Sequence, residues 1–201
     1  MEKAYDVYIV GLGGQGILTI GDLLAHAALR KGITVNFYPT KGMSQRGGFV
    51  QGQLRFGREN VGASLPPKGA DLVVAMERAE SLKAVKYAKK GGDFLLFDDT
   101  WATTAVLMGK QSYPSLEEVV KEIKTAEVNL RCLNDSSLPL VDGKPVRANM
   151  FILGALLAHT SLKQLFTKED IIAAVQELFT KGADANLIAL DAGYNAVIKI
   201  Q

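Results

Sequence analysis

The chain has 201 residues, of which 48% are hydrophobic and 22% charged, so its composition excludes intrinsic disorder and fibrous repeats and suits one compact domain. The 23 Lys and Arg residues barely outnumber the 21 Asp and Glu residues, which gives no support to the binding of nucleic acid or of a membrane surface. Because Cys132 is the only cysteine, the chain cannot form an internal disulfide or supply the thiolate ligands of an iron–sulfur cluster.

The first elements along the chain are a strand, a glycine loop and a helix. Residues 5–10 are mostly apolar and β-favouring, and residues 11–16 read Gly-Leu-Gly-Gly-Gln-Gly. Apolar residues then recur at helical spacing from Ile17 until Gly32. Residues 33–38 predict a second strand.

The glycine loop is the first candidate site. Gly11, Gly13 and Gly16 match the pattern G-x-G-x-x-G between a strand and a helix, where exposed N–H groups at the helix N-terminus attract phosphate. A dinucleotide-binding domain would also carry an acid at the end of the second strand, but residues 36–39 read Asn-Phe-Tyr-Pro. Three interpretations stay open: a dinucleotide site, a site for another phosphate or anion, and a purely structural turn.

A second glycine-rich segment follows the second strand. Residues 41–48 read Lys-Gly-Met-Ser-Gln-Arg-Gly-Gly. Arg46 is the only side chain in this segment that can contact a carboxylate or phosphate through two parallel hydrogen bonds. The alternative is a flexible connection between strands, in which Arg46 is solvated.

The next stretch alternates between apolar and polar residues. Its two faces carry Val50, Gly52, Leu54 and Phe56 on one side and Gln51, Gln53 and Arg55 on the other. A period of two with one polar face predicts a half-exposed, antiparallel strand. We expect residues 61–65 to form a hairpin with it, ended by two prolines.

Strands and helices alternate after this point. The further predicted strands are residues 71–76, 93–97 and 127–133. The helix between the first two of them is predicted to direct Ala79, Leu82, Val85 and Ala88 inward. A later helix is predicted to begin at Ser115, which forms a capping box with Glu118. Asp98 and Asp99 end a strand where α/β proteins bind ligands. Neighbours on an extended chain point apart, so we expect one of them to cap the following segment rather than both to hold Mg²⁺.

The last third of the chain is helical. Residues 149–158 are apolar on nearly all sides, Thr167 caps a helix that Gly182 ends, and residues 183–198 form another helix. The whole pattern predicts one α/β domain with a mixed, mostly parallel sheet and a helical C-terminal third. Charged residues interrupt every long apolar run, so a soluble, cytoplasmic protein is expected.

Together, the two glycine segments identify a family. Residues 10–17, Val-Gly-Leu-Gly-Gly-Gln-Gly-Ile, followed by the segment 41–48, resemble the gamma subunit of 2-oxoacid:ferredoxin oxidoreductases, and Met-Ser-Gln-Arg-Gly-Gly is closest to the small subunit of the indolepyruvate branch. The pyruvate and 2-oxoglutarate branches tend to carry Pro-Glu-Ala-Arg-Gly-Gly instead. Residues 71–75, 149–155 and 186–194 also resemble runs of that family.

The resemblance implies that residues 1–201 form one three-layer α/β/α domain of gamma type, which serves a larger enzyme. The complex decarboxylates a 2-oxoacid on thiamine diphosphate, passes electrons through iron–sulfur clusters to ferredoxin and transfers the acyl group to coenzyme A. Thiamine diphosphate, Mg²⁺ and the clusters are expected on partner subunits. This chain would carry no catalytic residue, metal or bound cofactor of its own, would be inactive alone, and leaves a homodimer open.

Carried over to this sequence, the resemblance gives a set of binding residues. The glycine loop would form the phosphate side of a coenzyme A site, and the second segment would face the partner subunit or the ligand entrance. The candidate cofactor-binding residues are Gly11, Gly13, Gly14, Gln15, Gly16, Ser44, Gln45, Arg46 and Gly47. Two other functions stay open: a free-standing dinucleotide-binding oxidoreductase, and a structural adaptor that holds the large subunits together.

Overall fold

The computed structural model describes residues 4–41, 47–59, 61–102, 104–110, 112–198 and 200. The strands are β1 (Tyr5–Leu12), β2 (Val35–Lys41), β3 (Phe49–Phe56), β4 (Ala70–Ala75), β5 (Ala88–Phe97), β6 (Asn129–Leu133), β7 (Leu140–Val141) and β8 (Lys144–Pro145). The helices are α1 (Ile17–Arg30), α2 (Arg78–Ala84), α3 (Thr104–Leu107), α4 (Leu116–Lys124), α5 (Ala148–His159), α6 (Lys168–Leu178) and α7 (Ala183–Tyr194).

Six strands form the main sheet in the order β2-β3-β1-β4-β5-β6. The pairs β1–β4, β4–β5 and β5–β6 are parallel, whereas β3 runs antiparallel to both of its neighbours. The predicted mixed, mostly parallel sheet is therefore confirmed. β7 and β8 form a separate small hairpin.

Helices cover both faces of this sheet. Alternate residues of each inner strand belong to two different apolar clusters, as the two-residue period of a strand requires. In β1, Val7 and Ile9 pack in the cluster that contains α1, α5, α6 and α7, whereas Tyr8 and Val10 pack in the cluster that contains residues of α2 and α4. The three-layer α/β/α arrangement is confirmed, with the helical C-terminal third in one layer.

The polar face of β3 is covered, which corrects the predicted half-exposed strand. Gln53 and Arg55 are buried. The Gln53 Oε1 atom accepts from Leu65 N at 2.6 Å, and Arg55 pairs with the buried Asp6 at 3.2 Å. Residues 61–65 therefore contact β3 through its side chains, and the predicted hairpin strand is wrong because the backbone groups of β3 are already paired with β1 and β2 on either side.

Several predicted element ends also differ. The helix of residues 78–84 is followed by a short 3₁₀ turn, and Ala88, predicted inside that helix, begins β5. Gly182 does not end α6, which stops at Leu178; with a φ of 75° it is instead the residue before α7. The capping boxes at Ser115 and Thr167 are present. In the described part of the chain, no helix is both long and apolar enough to cross a membrane.

Two buried glycines bring α5 and α7 together. A Cβ atom added at Gly154 would lie 2.7 Å from Tyr194 N, and one added at Gly193 would lie 2.6 Å from the carbonyl carbon of Phe151. Because these neighbours are backbone atoms, no side-chain rotation relieves the contact. Only glycine allows the two helices to approach this closely.

The carboxyl ends of β1, β4, β5 and β6 lie at one edge of the sheet, here called the carboxyl edge. Residues 13–16, 76–77, 98–102 and 134–137 follow these strands at that edge. α/β proteins bind ligands at the carboxyl ends of their strands. The carboxyl edge is therefore where the candidate site is expected.

Candidate functional site

The two glycine segments meet at the carboxyl edge. Gly13 N donates to Gly48 O at 2.8 Å, and Gly47 N donates to Gly13 O at 3.3 Å. These bonds continue the pairing of β1 with β3 beyond the strand ends. Ser44, Gln45 and Arg46 lie outside the described residues.

The glycine loop leads into a helix start that has no side-chain cap. Gly14 and Gly16 have φ values of 107° and 78°, which residues other than glycine rarely adopt. Gly16 precedes α1, and no side chain caps the helix there. The N–H groups of the first turn of α1 are consequently free to attract an anion.

Gly11 has a different role from the rest of the loop. It lies inside β1 and is buried. A Cβ atom at Gly11 would lie 2.6 Å from both Gln15 Oε1 and Ile17 Cδ1. Gly11 thus permits Gln15 and α1 to pack against the strand.

The side chain of Gln15 turns into the protein. Its Oε1 atom accepts from Leu12 N at 2.8 Å, and its Nε2 atom donates to Met76 O and Asp99 Oδ2, both at 2.7 Å. One amide therefore joins the glycine loop to the ends of β4 and β5. Gln15 holds the loop in position, and it also lines the adjacent cleft.

Asp98 and Asp99 point apart, as expected, but they do not take the predicted capping role. Asp98 forms a two-pronged pair with Arg78, at 2.5 and 2.9 Å, while Asp99 accepts from Gln15. Partners on other segments explain the difference, since Arg78 of α2 and Gln15 of the glycine loop already satisfy the two carboxylates. Among the described residues, no group of three or more His, Cys, Asp or Glu side chains could hold a metal ion.

A cleft of about 550 Å³ opens beside the glycine loop, and we call it the glycine cleft. Its walls include Gly14, Gly16, Asp99, Trp101, Arg147 and Asn149. The cleft joins the start of α1 to the start of α5, because Asn149 packs against Gly16, where a Cβ atom would lie 2.7 Å from Asn149 Cγ. Two helix N-termini, each with a positive partial charge, thus face one cleft.

Arg147 is the cation of the glycine cleft. It is exposed and directly precedes α5, which has no side-chain cap. Within the described ranges it forms no ion pair, and Asp99 and Asp135 also line this cleft. An anionic group bound in the cleft could contact Arg147 and the two helix N-termini.

A second cleft of about 550 Å³, here called the Tyr113 cleft, also has Trp101 in its wall. Gly47, Phe49, Glu77, Trp101 and Tyr113 are among its lining residues. Glu77 is buried and accepts from Glu80 N at 2.7 Å, from Trp101 N at 3.3 Å and from the Tyr113 hydroxyl. Burial raises the pKa of the Glu77 carboxyl, and the backbone N–H groups oppose this shift.

The sequence missed the residues that come from distant segments. Arg147, Asn149, Glu77 and Trp101 carry no local motif, and only the resemblance of residues 149–155 pointed to this part of the chain. The signal available for Asn149 is its position at the first turn of a buried helix, where a polar residue is exposed to the carboxyl edge. Of the predicted residues, Gly13, Gly14, Gln15, Gly16 and Gly47 are brought together at this edge.

We expect Gln15→Ala to lower the free energy of unfolding by about 2 kcal/mol, because it leaves Leu12 N, Met76 O and Asp99 without their partner. Gln15→Glu should lower the free energy of unfolding further, because its carboxylate would be repelled by Met76 O and the carboxylate of Asp99. Urea unfolding of the chain measures both. The exposed Gln176→Ala is the control, and a Gln15→Glu variant as stable as wild type would contradict the proposed positioning role.

Comparison with known proteins gives concordant matches. A family model described as pyruvate ferredoxin/flavodoxin oxidoreductase matches residues 6–196. Indolepyruvate oxidoreductase subunit IorB of Pyrococcus horikoshii is 37% identical over 198 residues, which cover 96% of each protein.

Solved structures share the fold. Pyruvate oxidoreductase subunit PORC of Thermotoga maritima matches with a TM-score of 0.68 and 23% identity, over 98% of both chains. The 2-oxoglutarate:ferredoxin oxidoreductase of Magnetococcus marinus, solved with 2-oxoglutarate, coenzyme A and succinyl-CoA bound, matches with a TM-score of 0.56 and 20% identity. That match covers 96% of this chain and 31% of the larger one.

Proposed function

Because the chain belongs to the pyruvate ferredoxin/flavodoxin oxidoreductase family, we propose that it is the gamma-type subunit of a 2-oxoacid:ferredoxin oxidoreductase and that its glycine cleft holds part of coenzyme A. The complex would oxidise a 2-oxoacid to an acyl-CoA and carbon dioxide and reduce ferredoxin. Thiamine diphosphate, Mg²⁺ and the iron–sulfur clusters belong to partner subunits in this proposal. The chain then contributes binding and closure of the site, at a cytoplasmic location, as one domain of residues 1–201.

The observation that carries the coenzyme A assignment is the meeting of two helix N-termini and Arg147 in one cleft. Coenzyme A carries phosphate groups, and phosphate is stabilised at helix N-termini and by paired hydrogen bonds from an arginine. The cleft volume of about 550 Å³ is in the range of small-ligand sites. Support also comes from the Magnetococcus marinus enzyme, which shares the fold and was solved with coenzyme A bound.

The position of β2 weakens the dinucleotide alternative. In a dinucleotide-binding domain the second strand lies beside the first, so that its terminal acid reaches the ribose next to the glycine loop. Here β3 lies between β1 and β2, and the end of β2 carries Pro39 and Thr40. The Arg147 variants below distinguish coenzyme A binding from the alternative function as a structural adaptor.

In the assembled complex we expect Arg147→Ala to raise the KM for coenzyme A about 10- to 150-fold, because a hydrogen bond to a charged group is worth about 1.5–3 kcal/mol. The KM for the 2-oxoacid and the melting temperature of the free chain should not change, since Arg147 is exposed and unpaired among the described residues. Arg147→Lys should restore binding in part, because an ammonium group cannot form the planar two-pronged contact.

The control for this variant is Lys144→Ala, which removes another exposed cation close in sequence. Steady-state kinetics with each substrate varied separately measures the two KM values. If Arg147→Ala assembles normally and keeps its KM for coenzyme A, the cleft does not bind that ligand. The adaptor function would then be favoured.

A further inference from the structure

Trp101 is placed to contact a ligand from between the two clefts. It is the only tryptophan of the chain, and the residue is 46% exposed. The residue belongs to the walls of both the glycine cleft and the Tyr113 cleft. A large aromatic surface left in water within a concave site is typical of a ligand contact, since burying that surface would be favourable.

The backbone at and just before Trp101 is hydrogen-bonded although Trp101 is exposed. Trp101 N donates to the buried Glu77, whose carboxylate also receives the Tyr113 hydroxyl. Just before it in sequence, Asp99 O accepts from Arg78 N at 3.0 Å, and Asp99 Oδ2 accepts from Gln15. An aromatic side chain on a fixed backbone loses little freedom when a ligand binds.

The indole also lies next to the second glycine segment. Gly47 has a φ of 69°, and a Cβ atom built there would have Trp101 Nε1 at 3.9 Å as its neighbour. The glycine leaves one part of the indole uncovered by side chain. Because Trp101 lines both clefts, a flat group bound in either cleft can contact the indole.

Resting on the proposed function, we propose that the indole of Trp101 stacks on the adenine ring of coenzyme A. The adenosine end of the ligand then lies at the boundary of the two clefts. Its phosphates lie in the glycine cleft, toward Arg147 and the starts of α1 and α5. Neither the family match nor the glycine motif assigns a role to this residue.

The expected effect follows from the strength of such stacking. Stacking of a base on an aromatic side chain is worth about 1–3 kcal/mol, which corresponds to a change of about 5- to 150-fold in a binding constant. In the assembled complex, Trp101→Ala should raise the KM for coenzyme A by that factor and leave the KM for the 2-oxoacid unchanged. Trp101→Phe should retain part of the binding, because its smaller ring still stacks.

A fragment of coenzyme A tests the adenine contact directly. Adenosine 3′,5′-bisphosphate carries the adenine ring and no pantetheine arm, so its inhibition constant against coenzyme A should rise in Trp101→Ala by the same factor as the KM. Met108→Ala, which removes another exposed apolar side chain 7 positions further along the chain, should change neither constant.

The two variants together distinguish failure of the stacking from failure of the proposed function. If Arg147→Ala raises the KM for coenzyme A and Trp101→Ala does not, the stacking is overturned and the proposed function stands. If neither variant changes it, both are overturned. A third outcome combines two results: Trp101→Ala no longer co-purifies with the partner subunits, and Trp101→Phe keeps full affinity for the bisphosphate. Trp101 would then be a contact with a partner subunit, and the stacking would be overturned.

Discussion

Gly193→Ala is expected to be among the most destabilising single substitutions in the chain. The added methyl group would lie 2.6 Å from the carbonyl carbon of Phe151 and closer still to its oxygen. Overfilling a packed interior costs about 1–3 kcal/mol, and we expect about 3 kcal/mol here because the obstacle is backbone. For a chain of this size, that cost lowers the melting temperature by about 6–12 °C.

Thermal and urea unfolding of the chain measure this effect. Gly154→Ala should behave similarly, since its Cβ atom would meet Tyr194 N at 2.7 Å on the same helix pair. The matched control is Gly62→Ala, where no atom lies within 4 Å of the added carbon and φ is not positive. A Gly193→Ala variant as stable as Gly62→Ala would mean that α5 and α7 are not packed as described.

This packing also bears on the site. α5 carries Asn149 in its first turn and follows Arg147, so a displacement of α5 moves both residues relative to the glycine loop. We therefore regard the glycine contacts of α5 and α7 as part of what positions the glycine cleft. The KM for coenzyme A of a complex assembled with the Gly193→Ala chain, measured at a temperature at which that chain is folded, can be compared with the stability of the chain.

Gly16→Ala is the second substitution with a large expected effect. At a φ of 78° an alanine is strained by about 1–2 kcal/mol, and its Cβ atom would also lie 2.7 Å from Asn149 Cγ. Asn149 must move, which separates the starts of α1 and α5. We expect the KM for coenzyme A in the complex to rise at least about 10-fold, equivalent to about 1.4 kcal/mol.

Gly32→Ala is the control that isolates the collision. Gly32 lies just beyond the other end of α1 with a similar φ of 68°, but no atom lies within 4 Å of its added carbon. Backbone strain should lower the free energy of unfolding of both variants, whereas only Gly16→Ala should raise the KM for coenzyme A.

A double-mutant cycle with Asn149→Ala measures the contact itself. The stability cost of Gly16→Ala should be smaller when Asn149 is already alanine, because contacting residues are not additive. Equal costs in the two backgrounds would show that Asn149 does not limit the space at Gly16.

Local features of the sequence were sufficient for most of the elements. The strand, glycine loop and first helix, the capping boxes at Ser115 and Thr167 and the buried helix of residues 149–158 all depend on neighbours within a few positions. Side-chain period, glycine and capping residues act over the same short distances. The family resemblance, carried by two short glycine segments, was confirmed as well.

Only the tertiary structure decided the strand order and what covers β3. Residues 50–56 alternate as a half-exposed strand would, yet Gln53 and Arg55 are buried because residues 61–65 and Asp6 satisfy their polar atoms. Periodicity reports which side chains share a face and cannot report what packs on that face. The insertion of β3 between β1 and β2 has the same origin, since any of several strands can satisfy the edge of β1.

The candidate site divides in the same way. The sequence by itself determined that a glycine loop precedes α1, because positive φ values at Gly14 and Gly16 and an uncapped helix start are local properties. Tertiary structure alone brought Arg147 and Trp101 to that loop, and directed the side chain of Gln15 toward the ends of β4 and β5. These contacts join segments far apart in the chain, and they form only after the sheet and both helical layers have placed the carboxyl ends of the strands side by side.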